Sequence, residues 1–212
     1  MYADHPFFRK PIDQNATIWR YTSFAKLVSV FDRQALFFAR ADTLPDRFEG
    51  SYPSASVQAR SDLFKYVSED ARGQAVHQWS SLMKNMTTAT FLNCWCVADK
   101  ESVAMWNYLK NDEAVAIRSS FRKLAASFHV CTAHQVFIGQ VEYVDYDRVR
   151  LPEGNTFFPF LYKREQFEHE RELRAVVQAL PVNDKGTVDW SKPMPMGIYV
   201  NVDVNELLEE IR

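Results

Sequence analysis

The feature that most constrains this chain is its irregular switching between two hydrophobic periods. Short apolar runs with strand character at 18–21, 35–39, 114–117 and 198–202 are separated by helix-like stretches of unequal length. Helical spacing is legible at Phe24, Leu27, Val28 and Phe31, behind a Thr22 or Ser23 cap. It recurs over 55–85, 103–109, 121–128 (capped by Ser119 or Ser120), 160–168 and 204–211. Residues 87–97, 135–145 and 170–180 complete the strand set, and Gly139 marks a bulge in the second of these. Regular β-α-β units would alternate at a nearly constant interval and build a parallel sheet. This chain does not, so it predicts an α+β fold, a mixed, mostly antiparallel sheet with packed helices. Residues 1–17, interrupted by Pro6 and Pro11, follow neither period and form a lead-in, with 18–212 as a single α+β domain.

Charge and cysteine usage narrow the setting. The 25 basic and 27 acidic side chains leave a net charge of −2, which gives no global pull toward nucleic acid or an acidic membrane. No apolar run approaches membrane-spanning length, and the opening MYADHPFFRKP is not a charged leader before an apolar stretch. Three cysteines make no disulfide framework, which suits a reducing, cytoplasmic compartment. The 16 Phe, 9 Tyr and 5 Trp call for a well-formed core or a lined cleft, and fit an oligomer surface equally well, so the oligomeric state stays open.

Four stretches can carry chemistry. In Trp19-Arg20-Tyr21-Thr22, a strand puts Arg20 and Thr22 on one face, where a guanidinium beside a hydroxyl suits a phosphate or carboxylate; an edge arginine paired with an acid is the plainer account. The loop from Arg40 to Gly50 holds Asp42, Asp46, Glu49, Arg47 and Phe48, and is either a ligand-covering loop or a salt-bridged turn. Cys94 and Cys96 lack the spacing of a zinc site, while Glu101 and Ser102 open the helix that follows. In Glu170-Arg171-Glu172-Leu173-Arg174, an extended chain places Glu170, Glu172 and Arg174 on one face. Two adjacent carboxylates then need a cation between them. A helix would instead make Glu170 and Arg174 an ordinary surface pair.

The order and spacing of these segments, together with Phe38-Ala39-Arg40-Ala41, Met105-Trp106 and Ala114-Val115-Ala116-Ile117, resemble the bacterial domain-of-unknown-function family 2971 from about residue 18 onward. That family brings no established reaction. Its usual Asp-Pro-Phe-Glu reads Asp46-Arg47-Phe48-Glu49 here, so a rigidifying proline is missing. The opening aromatic-Arg-Tyr-Thr also resembles ADP-ribosyltransferase-like domains. That second resemblance implies NAD as the ligand, held by Arg20, Tyr21, Thr22, Phe38 (or Phe37), Arg40 and Arg174, with Glu172 or Glu170 as the catalytic carboxylate and no metal. The acceptor, nucleic acid or protein, is not specified by the sequence.

Three readings therefore stand. The first is an NAD-dependent transferase or NAD-cleaving enzyme, which requires one cleft to join residues 20–22 to 170–174. The second is a ligand-binding or interaction module whose acids and arginines neutralise each other. The third is a metal-dependent nuclease using Asp42, Asp46, Glu49 and Glu170, which offer the oxygen ligands Mg²⁺ needs but no diagnostic spacing.

Overall fold

The computed structural model describes residues 1–109 and 113–212. In chain order the elements are β1 (Thr17–Ser23), α1 (Phe24–Arg33), β2 (Ala35–Arg40), α2 (Ser54–Gln58), α3 (Glu69–Ala89), β3 (Thr90–Val97), α4 (Val103–Tyr108) and β4 (Ala114–Ser120). They continue with α5 (Phe121–Ser127), β5 (Phe137–Gln140), β6 (Glu142–Val144), β7 (Tyr162–Arg164), β8 (Glu172–Gln178), β9 (Gly197–Asn201), α6 (Val204–Leu207) and β10 (Glu210–Ile211). The fold is α+β, and every pairing in the main sheet is antiparallel.

β3 organises the molecule because three strands bond to it. β8 runs along one edge over the full register from Thr90↔Gln178 to Cys96↔Glu172. The other edge is shared: β1 takes its end, at Ile18↔Val97 and Trp19↔Cys96, while β2 takes its beginning, at Ala39↔Leu92 and Arg40↔Phe91. Two strands cannot occupy one lane, so the rest of β1 follows β4 and the rest of β2 follows β9. The sheet forks between them. Polar side chains make the fork tolerable, since buried peptide groups left without partners are costly. Arg20 Nη1 donates to the Cys94 carbonyl at 2.9 Å, and Asn93 Nδ2 donates to the Phe37 carbonyl at 2.9 Å.

Strand parity then divides the sheet. Ile18, Leu36, Phe38, Phe91, Trp95, Leu173, Ala175 and Val177 enter the main core with residues of α1, α5 and α6. Leu92 and Val176 face the other way, against α3, Phe8 and Phe160. The irregular lead-in is docked by the Tyr2↔Val136 bridge and the burial of Phe8.

Several sequence expectations need correction. The helical region at 55–85 resolves into α2, a 3₁₀ stretch and α3, and α3 runs through Gly73 to Ala89, so β3 begins at Thr90 rather than 87. The strand 135–145 breaks at Val141 into β5, in the main sheet, and β6, which pairs in parallel with β7. Gly139 is no bulge; a Cβ there would meet the Phe8 backbone at 3.0 Å. Residues 160–168 form β7 and a 3₁₀ turn instead of a helix, because β7 finds a partner in β6. The terminal helix stops at Leu207, and the chain re-enters the sheet as β10 beside β4. On α1, only Leu27 and Val30 are buried; Phe24, Val28 and Phe31 stay substantially exposed because the helix turns only a narrow stripe to the core.

Candidate functional site

A cavity of about 770 Å³ occupies the fork and opens above it. Residues 20–22 from β1 and residues 170, 172 and 174 line this one space, although some 150 positions separate them in the chain. The join follows from register: Trp19 opposes Cys96, and Cys96 opposes Glu172 across the next strand pair. Rings from Tyr21, Phe37, Tyr108, Phe167 and Tyr199 supply much of the wall. That combination of apolar walls with convergent polar groups is the usual character of a small-molecule site.

One end is a charged cluster built around Arg174, which has no exposed surface. Its Nε and Nη2 donate to Glu172 at 2.6 and 2.9 Å. Nη1 and Nη2 donate to Glu49 at 2.5 and 2.9 Å, and Nη1 also reaches the Phe160 carbonyl at 2.9 Å. These bonds use all five guanidinium N–H groups. Glu49 arrives from the loop before Gly50, whose φ of +70° lets the chain turn where a Cβ would strike Phe160 at 2.4 Å. Lys163, inward-facing at the centre of β7, bonds Glu170 and lies 3.3 Å from Glu172. Its ammonium also sits 4.7 Å from the centre of the Phe167 ring.

Electrostatics differ sharply between the two acids on Arg174. Burial alone would raise Glu172, but Arg174 and then Lys163 overcome it and hold the group down to about 2. Glu49 lacks the second cation in contact, and burial raises it despite Arg174, with Glu172 adding repulsion. Burial would lower Lys163, yet Glu172 and Glu170 push it up. Burial and the neighbouring Glu172 raise the Cys94 thiol well above its ordinary value, so it remains protonated and is no nucleophile.

The cavity also has a basic component. Arg20 and Lys26 line the cavity, and neither forms a salt bridge among the described residues. Desolvation lowers Arg20, the signature of a cation removed from water without a compensating anion.

The sequence candidates therefore sort unevenly. Arg20, Tyr21, Thr22, Glu170, Glu172 and Arg174 share the cavity. Phe38 does not: it is fully buried on the core side against Phe128, and its neighbour Phe37 faces the cavity instead. Arg40 is also outside, held by Asp42 at 2.6 Å and by the Met194 carbonyl at 2.6 Å. Glu170 is not on the strand. It ends a 3₁₀ turn, and Arg171, at φ 42°, swings the chain so that Glu170 and Glu172 meet at Lys163. Of the four acids of the nuclease reading, Asp46, Glu49 and Glu170 line the cavity and Asp42 does not, and each is held by a cation: Asp42 by Arg40, Asp46 by Arg164, Glu49 by Arg174 and Glu170 by Lys163. Among the described residues no three His, Cys, Asp or Glu side chains form a group able to hold a metal ion.

Sequence reasoning missed Lys163, Lys26, Tyr108, Phe167 and Tyr199. Lys163 was hidden inside a segment with helical spacing. Its one available signal was a lysine flanked by Tyr162 and Arg164, since in a strand such a residue points opposite to both neighbours. Among the described residues no helix is long and apolar enough to cross a membrane. No family model, curated protein or solved structure matches this chain.

Proposed function

We propose that this protein binds NAD in the fork cavity and cleaves its nicotinamide–ribose bond. The observation that carries the reading is the combination of cations, carboxylates and aromatic rings in one cavity. Arg20 and Lys26 line it without a salt bridge among the described residues, Glu170 and Glu172 line it as carboxylates, and aromatic rings share its wall. A dinucleotide has matching parts: phosphates for the cations, flat rings for the aromatic walls, ribose hydroxyls for a carboxylate. The sequence resemblance to ADP-ribosyltransferase-like domains points the same way.

Of the two carboxylates, Glu170 is the better placed to meet a ligand. Both Glu172 oxygens accept from Arg174, and one also faces Lys163, whereas only Oε2 of Glu170 is engaged. The free oxygen can accept from a ribose hydroxyl, and its charge opposes the positive charge that grows as nicotinamide leaves with the bonding pair. Water or another nucleophile then adds at the ribosyl carbon and loses a proton. Glu172 serves beneath it as a permanently ionised support.

A second reading, a nucleotide-binding module without turnover, draws on the complete neutralisation of Glu172 by Arg174 and Lys163. Calorimetric titration of NAD into the protein and its Arg20→Ala variant tests both. Saturable binding weakened roughly tenfold or more in the folded variant, an arginine–phosphate contact's worth, supports the cavity. Released nicotinamide, followed by chromatography, supports cleavage, and binding without release supports the module. Absence of any NAD binding removes both readings.

A further inference from the structure

We propose that Lys163 is a positioning residue of this site: it holds Glu170 and Glu172 ionised side by side and fixes where Glu170 presents its unengaged oxygen. The inference rests on the NAD reading for its ligand measurement only. Its basis is geometric. The two-stranded β6–β7 pairing, in register Tyr143↔Lys163, turns Lys163 into the interior while Tyr162 and Arg164 point away. The ammonium then has a three-sided seat formed by Glu170, Glu172 and the Phe167 ring.

Among the described residues no other cation bonds Glu170. Every N–H of Arg174 is already engaged by Glu49, Glu172 and the Phe160 carbonyl, and none reaches Glu170. Other ionisable groups around the seat are Tyr143 from β6, whose hydroxyl accepts from the Glu172 amide at 2.8 Å, and Cys94 and Cys96 from β3. Glu49 from the loop, Arg171 beside Cys96, and Arg164, which lies 5.2 Å from the Phe167 ring centre and pairs with Asp46, are also near. Three carboxylates (Glu49, Glu170, Glu172) against two cations (Lys163, Arg174) leave the cluster at −1. Without Lys163 it would stand at −3 + 1 = −2, with Glu170 unpaired beside Glu172. Adjacent like charges do not both stay ionised at little cost: one carboxyl takes a proton or Glu170 turns away.

The test is NAD titration of the parent, Lys163→Met and Lys163→Arg between pH 9 and pH 5. The expected result is affinity about tenfold or more weaker in the Met variant, a deficit that grows as pH falls, and recovery of most of it by Arg. Parent-like affinity of the Met variant across the range overturns the proposal. Should the parent itself bind no NAD, the reading of the ligand fails, and carboxyl-carbon NMR decides this inference separately. One signal of the Glu170–Glu172 pair, assigned with Glu170→Gln, must then titrate at higher pH in the Met variant; an unchanged midpoint overturns it. If the Met variant does not fold, Lys163→Gln, which removes the charge but keeps a donor, takes its place in both measurements.

Discussion

Arg60 and Arg174 are both buried arginines bound to carboxylates, in different regions of the molecule. Arg60 donates from Nε to both oxygens of Glu153 at 3.1 and 2.9 Å, its Nη1 donates to Ser80 at 2.8 Å, and its guanidinium lies 5.1 Å from the Tyr52 ring centre. Trp79 Nε1 supplies a further donor to Glu153 at 2.8 Å. That assembly has one acid, one base and a tryptophan cap, and it is closed: it ties α3 and the segment after α2 to the loop at 153. The Arg174 assembly has three acids, two bases, a residual negative charge and an oxygen facing a cavity. A charge pair that serves only the fold ends in neutrality. The one with a surplus is where a ligand is to be sought.

The sharpest way to break this comparison is to remove each arginine. Arg174→Met strands Glu49 and Glu172 without their shared cation and is expected to cost about 3–5 kcal/mol in denaturant unfolding. Replacing Arg60 and Glu153 together by apolar residues of similar volume removes a complete pair, so stability there is expected to stay within about 1 kcal/mol or rise. Equal losses at the two sites would erase the distinction.

A pH series sharpens it next. Glu172 sits at about 2 in the fold against an ordinary 4.5, so it stabilises the protein above pH 4.5, and that contribution fades as pH falls toward 2. Glu172→Gln is therefore expected to be destabilised by about 3 kcal/mol near neutrality. The gap to the parent should close over the interval from 4.5 to 2, read from urea midpoints at each pH. A gap independent of pH would mean that packing, not charge, makes the difference. The smallest expected effect is a control away from both clusters. The Ser23 hydroxyl accepts from the Lys26 amide at the start of α1, and Ser23→Ala is expected to cost about 1 kcal/mol.

Much of this was legible in the chain, and the rest fails for identifiable reasons. Strands β1, β2 and β4 announce themselves because their apolar runs are short, β-branched or aromatic, and bounded by caps such as Ser23 and Ser120. The Glu170–Arg174 segment was recognisable because adjacent acids require a nearby cation. What stayed hidden was decided by distant partners. Tyr162-Lys163-Arg164 becomes a strand only because β6 lies beside it, and Glu210–Ile211 only because β4 has a free edge. Phe37 and Phe38 illustrate the finest limit. Both fit the site by type, and a single step of strand parity puts Phe38 in the core and Phe37 in the cavity.

The fork also changes where the molecule is permeable. In an ordinary sheet the middle of the central strand is the most sheltered backbone, and water works inward from the rim. Here β3 is central, yet at Cys94 its peptide carbonyl meets only the tip of Arg20, with no strand on that side. The innermost peptide group of the sheet is thus covered by a side chain that itself lines the cavity. Drawing Arg20 away would bare main chain at the centre of the sheet without parting a single pair of strands.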